Sequence, residues 1–263
     1  MSVFRFLRDK KGVIYVETFY ALLVVTVIGL AVYFIWQWRF SSEERSVEQA
    51  ARSYLQAMAT GDLAAARGVS EGRAAEAAGK LEGKNLVARV DEISTSLQAL
   101  GRDWARVKAT VELTLKDGTA DVGWYELDVM KEAGGWKVVS FREGAPDLSG
   151  WSLVLGRAGD VEAAKEVFVG YLDDLAAGRY KEADQWLAGP ALKEHLAAGD
   201  VLSKGKLLEA VSEVSLTPLA RDGKLLVARC DYHAGEKKIG VAAVFYRTAQ
   251  GWRIVGIQNV LGQ

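Results

Sequence analysis

Gly135-Trp136-Lys137-Val138-Val139-Ser140-Phe141 recurs as Gly251-Trp252-Arg253-Ile254-Val255-Gly256-Ile257, 116 residues further on. Upstream, Tyr54-Leu55-Gln56-Ala57-Met58-Ala59-Thr60-Gly61 recurs as Tyr171-Leu172-Asp173-Asp174-Leu175-Ala176-Ala177-Gly178, at an offset of 117. Between these blocks, Val90-Asp91-Glu92-Ile93-Ser94 echoes Val211-Ser212-Glu213-Val214-Ser215. Blocks at both ends of a segment that recur at almost the same spacing mark a duplication, and each copy has about the 100 residues that one core supports.

Working outward from the closing block, the same plan emerges in both copies. Each opens with a helix. Val47, Ala50, Ala51, Tyr54, Leu55 and Met58 fall on one helical face in the first, and Val161, Ala164, Phe168, Tyr171, Leu172 and Leu175 in the second. Gly61 and Gly178 stop these helices, Asp62 is placed to cap the next, and Pro190 suits a first helical turn. The period then falls to two. Val107, Ala109, Val111, Leu113 and Leu115 alternate with polar residues, Asp117-Gly118 turns the chain, and Tyr125, Leu127 and Val129 alternate on the return. Gly134-Gly135 leads into the closing strand, and the second copy repeats the pattern over 225–232, 239–246 and 252–257. Helices followed by an antiparallel meander predict an α+β fold in which a curved sheet wraps the first helix.

A different signal precedes the repeats. From Thr18 to Trp38 the chain carries no charge over 21 residues, close to the roughly 20 that span a bilayer core. Tyr15, Phe19 and Tyr20 lie near one end, and Tyr33, Trp36, Trp38 and Phe40 near the other, as aromatic girdles do. Arg5, Arg8, Lys10 and Lys11 precede the segment, which predicts a cytoplasmic N-terminus and extracytoplasmic repeats. The expected organisation is a basic cytoplasmic leader over 1–12, a transmembrane helix over 13–40, a first α+β domain over 41–143, a linker over 144–157 and a second α+β domain over 158–263. Ser41-Ser42-Glu43-Glu44 permits either a capping box or an unbroken helix.

Overall, 33 Lys+Arg face 34 Asp+Glu. Removing the basic leader leaves an acidic body without a basic stripe, which argues against direct nucleic-acid binding. The single cysteine, Cys230, excludes an intrachain disulfide. Neither a nucleotide-binding loop nor a His/Cys set at metal spacing is present, so no cofactor and no metal are expected. Asp121, Glu126 and Asp128 are read on the polar face of a strand, His195 as a solvated helix position, and His233 at a hairpin turn. No acid and base pair up, so a noncatalytic protein is expected, with Trp124, Trp136 and Trp252 as residues of a candidate pocket in the domain cones.

Two resemblances follow from these residues. Lys10-Lys11-Gly12-Val13-Ile14-Tyr15-Val16-Glu17 resembles the processing site of type IV prepilins and TadE-like pseudopilins. That resemblance implies peptidase cleavage after Gly12, Val13 as the new N-terminus, and Glu17 as an assembly residue paired with a neighbouring subunit's amine. Val13 departs from the Phe common at that position. A carboxylate within an apolar helix is in any case a functional candidate. The repeats, through the helix ending YL-x5-G, the Ala-rich helix after it and the closing GW[KR][VI]V strand, resemble nuclear transport factor two-like, or ketosteroid-isomerase-like, domains.

Together they imply a membrane-anchored, extracytoplasmic component of an envelope machine. The prepilin-like assembly subunit is the main expectation, and a scaffold similar to the TcpC-like conjugation proteins is the alternative. A small-molecule-binding domain pair ranks third. Expected partners are membrane lipid, further copies or other machine subunits, and a prepilin peptidase where the leader is cut.

Overall fold

The computed structural model describes residues 10–80, 86–146, 158–202 and 208–259, and before residue 41 the side chains of 23, 25–30 and 33 alone. The side chains of Gly12, Val13 and Glu17 lie outside the described residues, as does most of the expected linker, 147–157. The chain divides into two compact units, Met1–Gln49 and Ala50–Gln263.

In the first unit the backbone is helical from Lys10, within a helix α1 that spans Lys10–Thr60. The helix runs on through Ser41-Ser42-Glu43-Glu44, so the capping-box alternative does not form. Ser46 Oγ donates to the Ser42 carbonyl at 2.9 Å, which holds the turn helical at this polar point. Among the described residues no helix is long and apolar enough to cross a membrane. Leu23, Val25, Val27, Ile28, Leu30 and Tyr33 each leave about half or more of their surface exposed.

The second unit holds both copies. In the first, the end of α1 is followed by α2 (Leu63–Gly68) and α3 (Gly72–Lys80), then by strands β1 (Val87–Leu100), β2 (Trp104–Leu115), β3 (Ala120–Glu132) and β4 (Gly135–Glu143). In the second come α4 (Ala158–Ala176), α5 (Tyr180–Ala183), a 3-10 turn over Asp184–Trp186 and α6 (Gly189–Leu202). Strands β5 (Val211–Asp222), β6 (Leu225–Ala234), β7 (Lys237–Thr248) and β8 (Gly251–Asn259) complete it. Each copy is a four-stranded antiparallel meander, in the orders β1-β2-β3-β4 and β5-β6-β7-β8. This is the α+β plan read from the repeat, and it is compatible with tandem nuclear transport factor two-like domains.

Local chemistry explains the punctuation. Gly61 and Gly178 take φ of 74° and 73° just beyond the helices they end, a left-handed conformation that costs glycine little. The Asp62 carboxylate accepts from the Ala65 N–H at 2.9 Å and caps α2. Ala50, Ala51, Tyr54 and Leu55 are buried along α1, and the Tyr54 hydroxyl donates to the Ala74 carbonyl at 2.9 Å, tying α1 to α3. In the second copy Phe168 and Leu172 of α4 pack on Leu226, Ala228, Cys230, Phe245, Trp252 and Ile254.

The first strand of each sheet was not read as a strand from the sequence. Both β1 and β5 are outer strands, and neither buries a residue fully. Without fully buried positions the apolar face is weakly marked, and each break in register shifts the period-two pattern on which such a reading depends. Both depart from regular register, β1 at three places and β5 at two, and Pro218 sits within β5.

Candidate functional site

Two places in the Ala50–Gln263 unit gather chemistry: the joint between the copies and a cavity in the first cone. Cross-strand partners share a face, so the registers assign each side chain. Val111 pairs with Gly123 and Leu113 with Asp121, whereas Thr110 pairs with Trp124 and Glu112 with Val122. The odd-numbered positions of β2 and β3 face α1, and the even-numbered positions face away from it.

At the joint, the outward face of the first sheet meets the outward face of the second. Val122 and Trp124 pack with Leu225, Tyr246, Val255 and Ala188, and the Trp124 and Tyr246 rings meet edge to face at 5.5 Å. Within this apolar seam sits Glu112, only 3% exposed. Its carboxylate accepts a hydrogen bond from the Tyr246 hydroxyl at 2.8 Å and an ion-paired hydrogen bond from Lys224 Nζ. Lys224 also reaches Glu92 at 2.8 Å and lies 5.9 Å from the centre of the Tyr246 ring. A carboxylate out of water requires such donors, because an unpaired buried charge is strongly destabilising. Burial and the Glu112 hydrogen bond both raise the Tyr246 phenol above its ordinary range, and the Glu112 and Glu92 contacts raise Lys224 against the opposing effect of its burial.

A second polar contact crosses the copies. The Gly189 N–H, at the start of α6, donates to Asp121 Oδ1 at 2.7 Å, and the Val122 N–H donates to the same oxygen at 2.8 Å. Gly189 holds φ at 57°, and a Cβ there would lie 2.7 Å from the Val122 carbonyl oxygen. Glycine is therefore needed both for the backbone conformation and for the close approach of the two copies.

These contacts correct two expectations. Asp121 does not share the face of Glu126 and Asp128. It lies on the inward side opposite Leu113, while Glu126 and Asp128 pair on the outer face with Arg142 at 2.7 Å and Arg106 at 2.8 Å. His195 is not solvated: it is 8% exposed, with Nε2 at 3.0 Å from the Tyr180 carbonyl and 3.4 Å from Asp184 Oδ1. Burial raises the Asp184 carboxyl, an effect that the neighbouring His195 opposes. His233 lies near the end of β6, next to the hairpin read there, with Nδ1 at 3.1 Å from Glu213.

The three candidate pocket tryptophans stand apart from one another. Trp124 belongs to the joint, and also lines a shallow cleft of about 170 Å³ with Thr110 and Tyr125. Trp136 stands opposite Lys131 across β3 and β4, with the Lys131 ammonium 5.6 Å from its ring centre. Trp252 is buried in the second core with Phe168, Leu192 and Phe245. Cys230 lies in the same core, and burial pushes its thiol up to about 12, so it is a packing residue there.

The first cone contains a cavity of about 350 Å³. Leu55, Met58 and Ala59 of α1 line one wall and Val111, Leu113 and Leu115 of β2 another, while Leu192, Lys193 and Leu196 of α6 contribute from the second copy. Tyr125 and Phe141 stack at 5.0 Å, and the edge of Tyr54 meets Phe141 at 5.6 Å. Burial, with Asp121 and Glu143 nearby, pushes the Tyr125 phenol up to about 12. Sequence reading placed pocket residues at tryptophans and missed this set. The apolar inward stripe of β2 was visible, but α6 comes from the other copy and no local spacing reveals its approach. Among the described residues, no group of three or more His, Cys, Asp or Glu side chains is placed to hold a metal ion.

Fold and joint define a tandem α+β protein whose two copies share one compact unit. No family model matches the chain, and no curated protein matches it. Among solved structures, it is similar to a chain described as an Ntf2-like protein involved in plasmid conjugation. The identity is 7%, with 75% of this chain and 86% of that chain covered, at a TM-score of 0.27.

Proposed function

We propose that this protein is a noncatalytic, membrane-anchored scaffold of an envelope machine, of the kind that lines or supports a conjugative transfer channel. The observation that carries the reading is the joint. Glu112 with Tyr246 and Lys224, and Asp121 with the Gly189 N–H, tie two copies into one block. A block fixed by buried polar contacts presents its outer surfaces at set distances, which suits a spacer or platform better than a hinged enzyme. Membrane attachment through 13–40 is supported by the uncharged run from Thr18 to Trp38 and by the exposed apolar side chains between Leu23 and Tyr33. The basic leader orients the two copies outside the cytoplasm.

Two measurements test the reading. A reporter fused after Gln263 is expected to be accessible from outside the cytoplasmic membrane, and access from the cytosol alone overturns the topology. Deleting the gene is expected to abolish conjugative DNA transfer and the full chain to restore it, whereas normal transfer after deletion removes the scaffold role.

The prepilin-like assembly subunit is the second reading, favoured by the spacing of Gly12 and Glu17 and by a helix that is already formed at Lys10 and continues to Thr60. It requires a mature chain beginning at Val13. Mass spectrometry of the protein from cells that possess the peptidase separates the two, since an intact leader excludes this version.

A further inference from the structure

In the second copy Trp252, Phe168 and Phe245 are buried in one core cluster, whereas in the first α1 and β2 leave a cavity between them. The cavity of the first cone has a definite chemistry. Most of its lining is aliphatic, with Leu55, Met58, Val111, Leu113, Leu115 and Leu192 along the walls. Its two aromatic rings stack on each other, and Tyr54 takes the edge contact with Phe141, so no pair of rings stands ready to sandwich a flat ligand. Leucine and methionine walls instead accommodate a flexible chain. Leu86 and Leu196, also in the lining, are 68% and 60% exposed, an apolar margin that an entering chain would cover.

The polar lining is sparse and specific. Asp121 Oδ1 already accepts the Gly189 and Val122 N–H groups. Lys193 Nζ pairs with Glu143 at 2.6 Å, but the two side chains are 54% and 69% exposed. An ion pair so open to water contributes little, so another carboxylate can take the place of Glu143 without leaving a charge buried. At the roughly 30 Å³ that one water takes up in the liquid, the cavity has room for about a dozen groups of that size, which matches a chain of about a dozen carbons.

We propose that this cavity binds a single-chain aliphatic carboxylate of about that length, its tail between α1 and β2 and its head at Lys193 of the second copy. The site is a property of the cavity and stands whether or not the chain is a channel scaffold. Because α6 supplies Leu192, Lys193 and Leu196, the site is complete only when the two copies are joined.

The test uses the full chain in its own membranes and a dodecanoate carrying a diazirine at the tail end, with adducts mapped by mass spectrometry. Labelling is expected within 55–59, 111–115 or 192–196, and unlabelled dodecanoate is expected to compete. Ala59→Trp, which fills the cavity, and Leu196→Glu, which places a repelling charge at the exposed margin, are each expected to reduce labelling at least tenfold. Leu196 is on the surface, so that variant keeps the test alive if Ala59→Trp does not fold. Lys193→Gln is expected to weaken dodecanoate labelling several-fold and to leave a dodecanol probe unchanged.

Adducts confined to other surfaces, or undiminished labelling in Leu196→Glu, overturn the proposal. So does equal labelling by a dodecylamine probe, which would deny the role of Lys193. Labelling by a two-chain phospholipid probe as strong as by the free acid also overturns it, since that would make the occupant bulk membrane lipid.

Discussion

Replacing Lys224 by methionine removes one of the two donors that hold the Glu112 carboxylate at the joint and keeps most of the aliphatic stem in place. Glu112 then remains 3% exposed with the Tyr246 hydroxyl as its remaining side-chain donor. A hydrogen bond to a charged group contributes about 1.5–3 kcal/mol when its partner is buried. The Lys224 side chain is 41% exposed, so water replaces part of what is lost, and the expected cost falls to about 1–2 kcal/mol.

Glu112→Gln in the same background leaves no buried charge to compensate and keeps an oxygen for Tyr246, so the double variant is expected to recover about half of that loss. The assay is urea unfolding of the full chain at constant mild detergent, followed by tryptophan fluorescence and far-ultraviolet circular dichroism. Because the network joins the copies, the transitions of the two probes are expected to coincide in the parent chain and to separate in Lys224→Met. A Lys224→Met variant within about 0.3 kcal/mol of the parent, or a double variant weaker than the single, refutes the reasoning about the joint.

Gly189→Ala forces a left-handed alanine whose Cβ lies 2.7 Å from the Val122 carbonyl oxygen, so a loss of about 2 kcal/mol or more is expected in the same unfolding assay. Gly118→Ala, at φ 88° with open space around it, serves as the control and is expected to cost about half as much. Trp252→Ala leaves a cavity in the second core and is expected to cost about 3–5 kcal/mol, against about 0.5 kcal/mol for Trp104→Ala at a half-exposed position, and similar losses for both contradict the burial of Trp252. Burial raises Tyr54, Tyr125 and Tyr171 from 10.0 to about 12 and Cys230 from 9.0 to about 12. The unfolded chain releases these protons first, so the contribution of these groups to stability is level below about pH 9 and falls from there to about pH 12. A urea midpoint that does not move over that range contradicts the burial of these groups.

How much could be read from the residues follows from which interactions are local. Helix ends at Gly61 and Gly178, the Asp62 cap and the Asp117-Gly118 turn are short-range chemistry, and each stands where its residues placed it. The inward stripe of β2 was equally plain, because one face of that strand is buried along much of its length. Glu112 illustrates the limit: on the polar face of β2 it looks solvated, and only the arrival of Tyr246 and Lys224, more than a hundred residues away, buries it. His195 was misread for the same reason, since a Lys-Glu-His-Leu context says nothing of the Tyr180 carbonyl that meets its ring. Neglect of parity misplaced Asp121, which was grouped with Glu126 and Asp128 although its offset from each along the strand is odd and puts it on the opposite face. The cavity was beyond reach because its walls come from both copies.

Pro218, within the outer strand β5, has a consequence for how copies of this molecule meet at high concentration. A proline offers no N–H to an incoming strand, and the register breaks flanking it, like those along β1, interrupt the flat ladder that a foreign backbone would need. Open borders of this kind resist fibre-like stacking between molecules held at high density. Along these two borders a neighbour is left to recognise side chains, and that recognition is the kind that can be made selective.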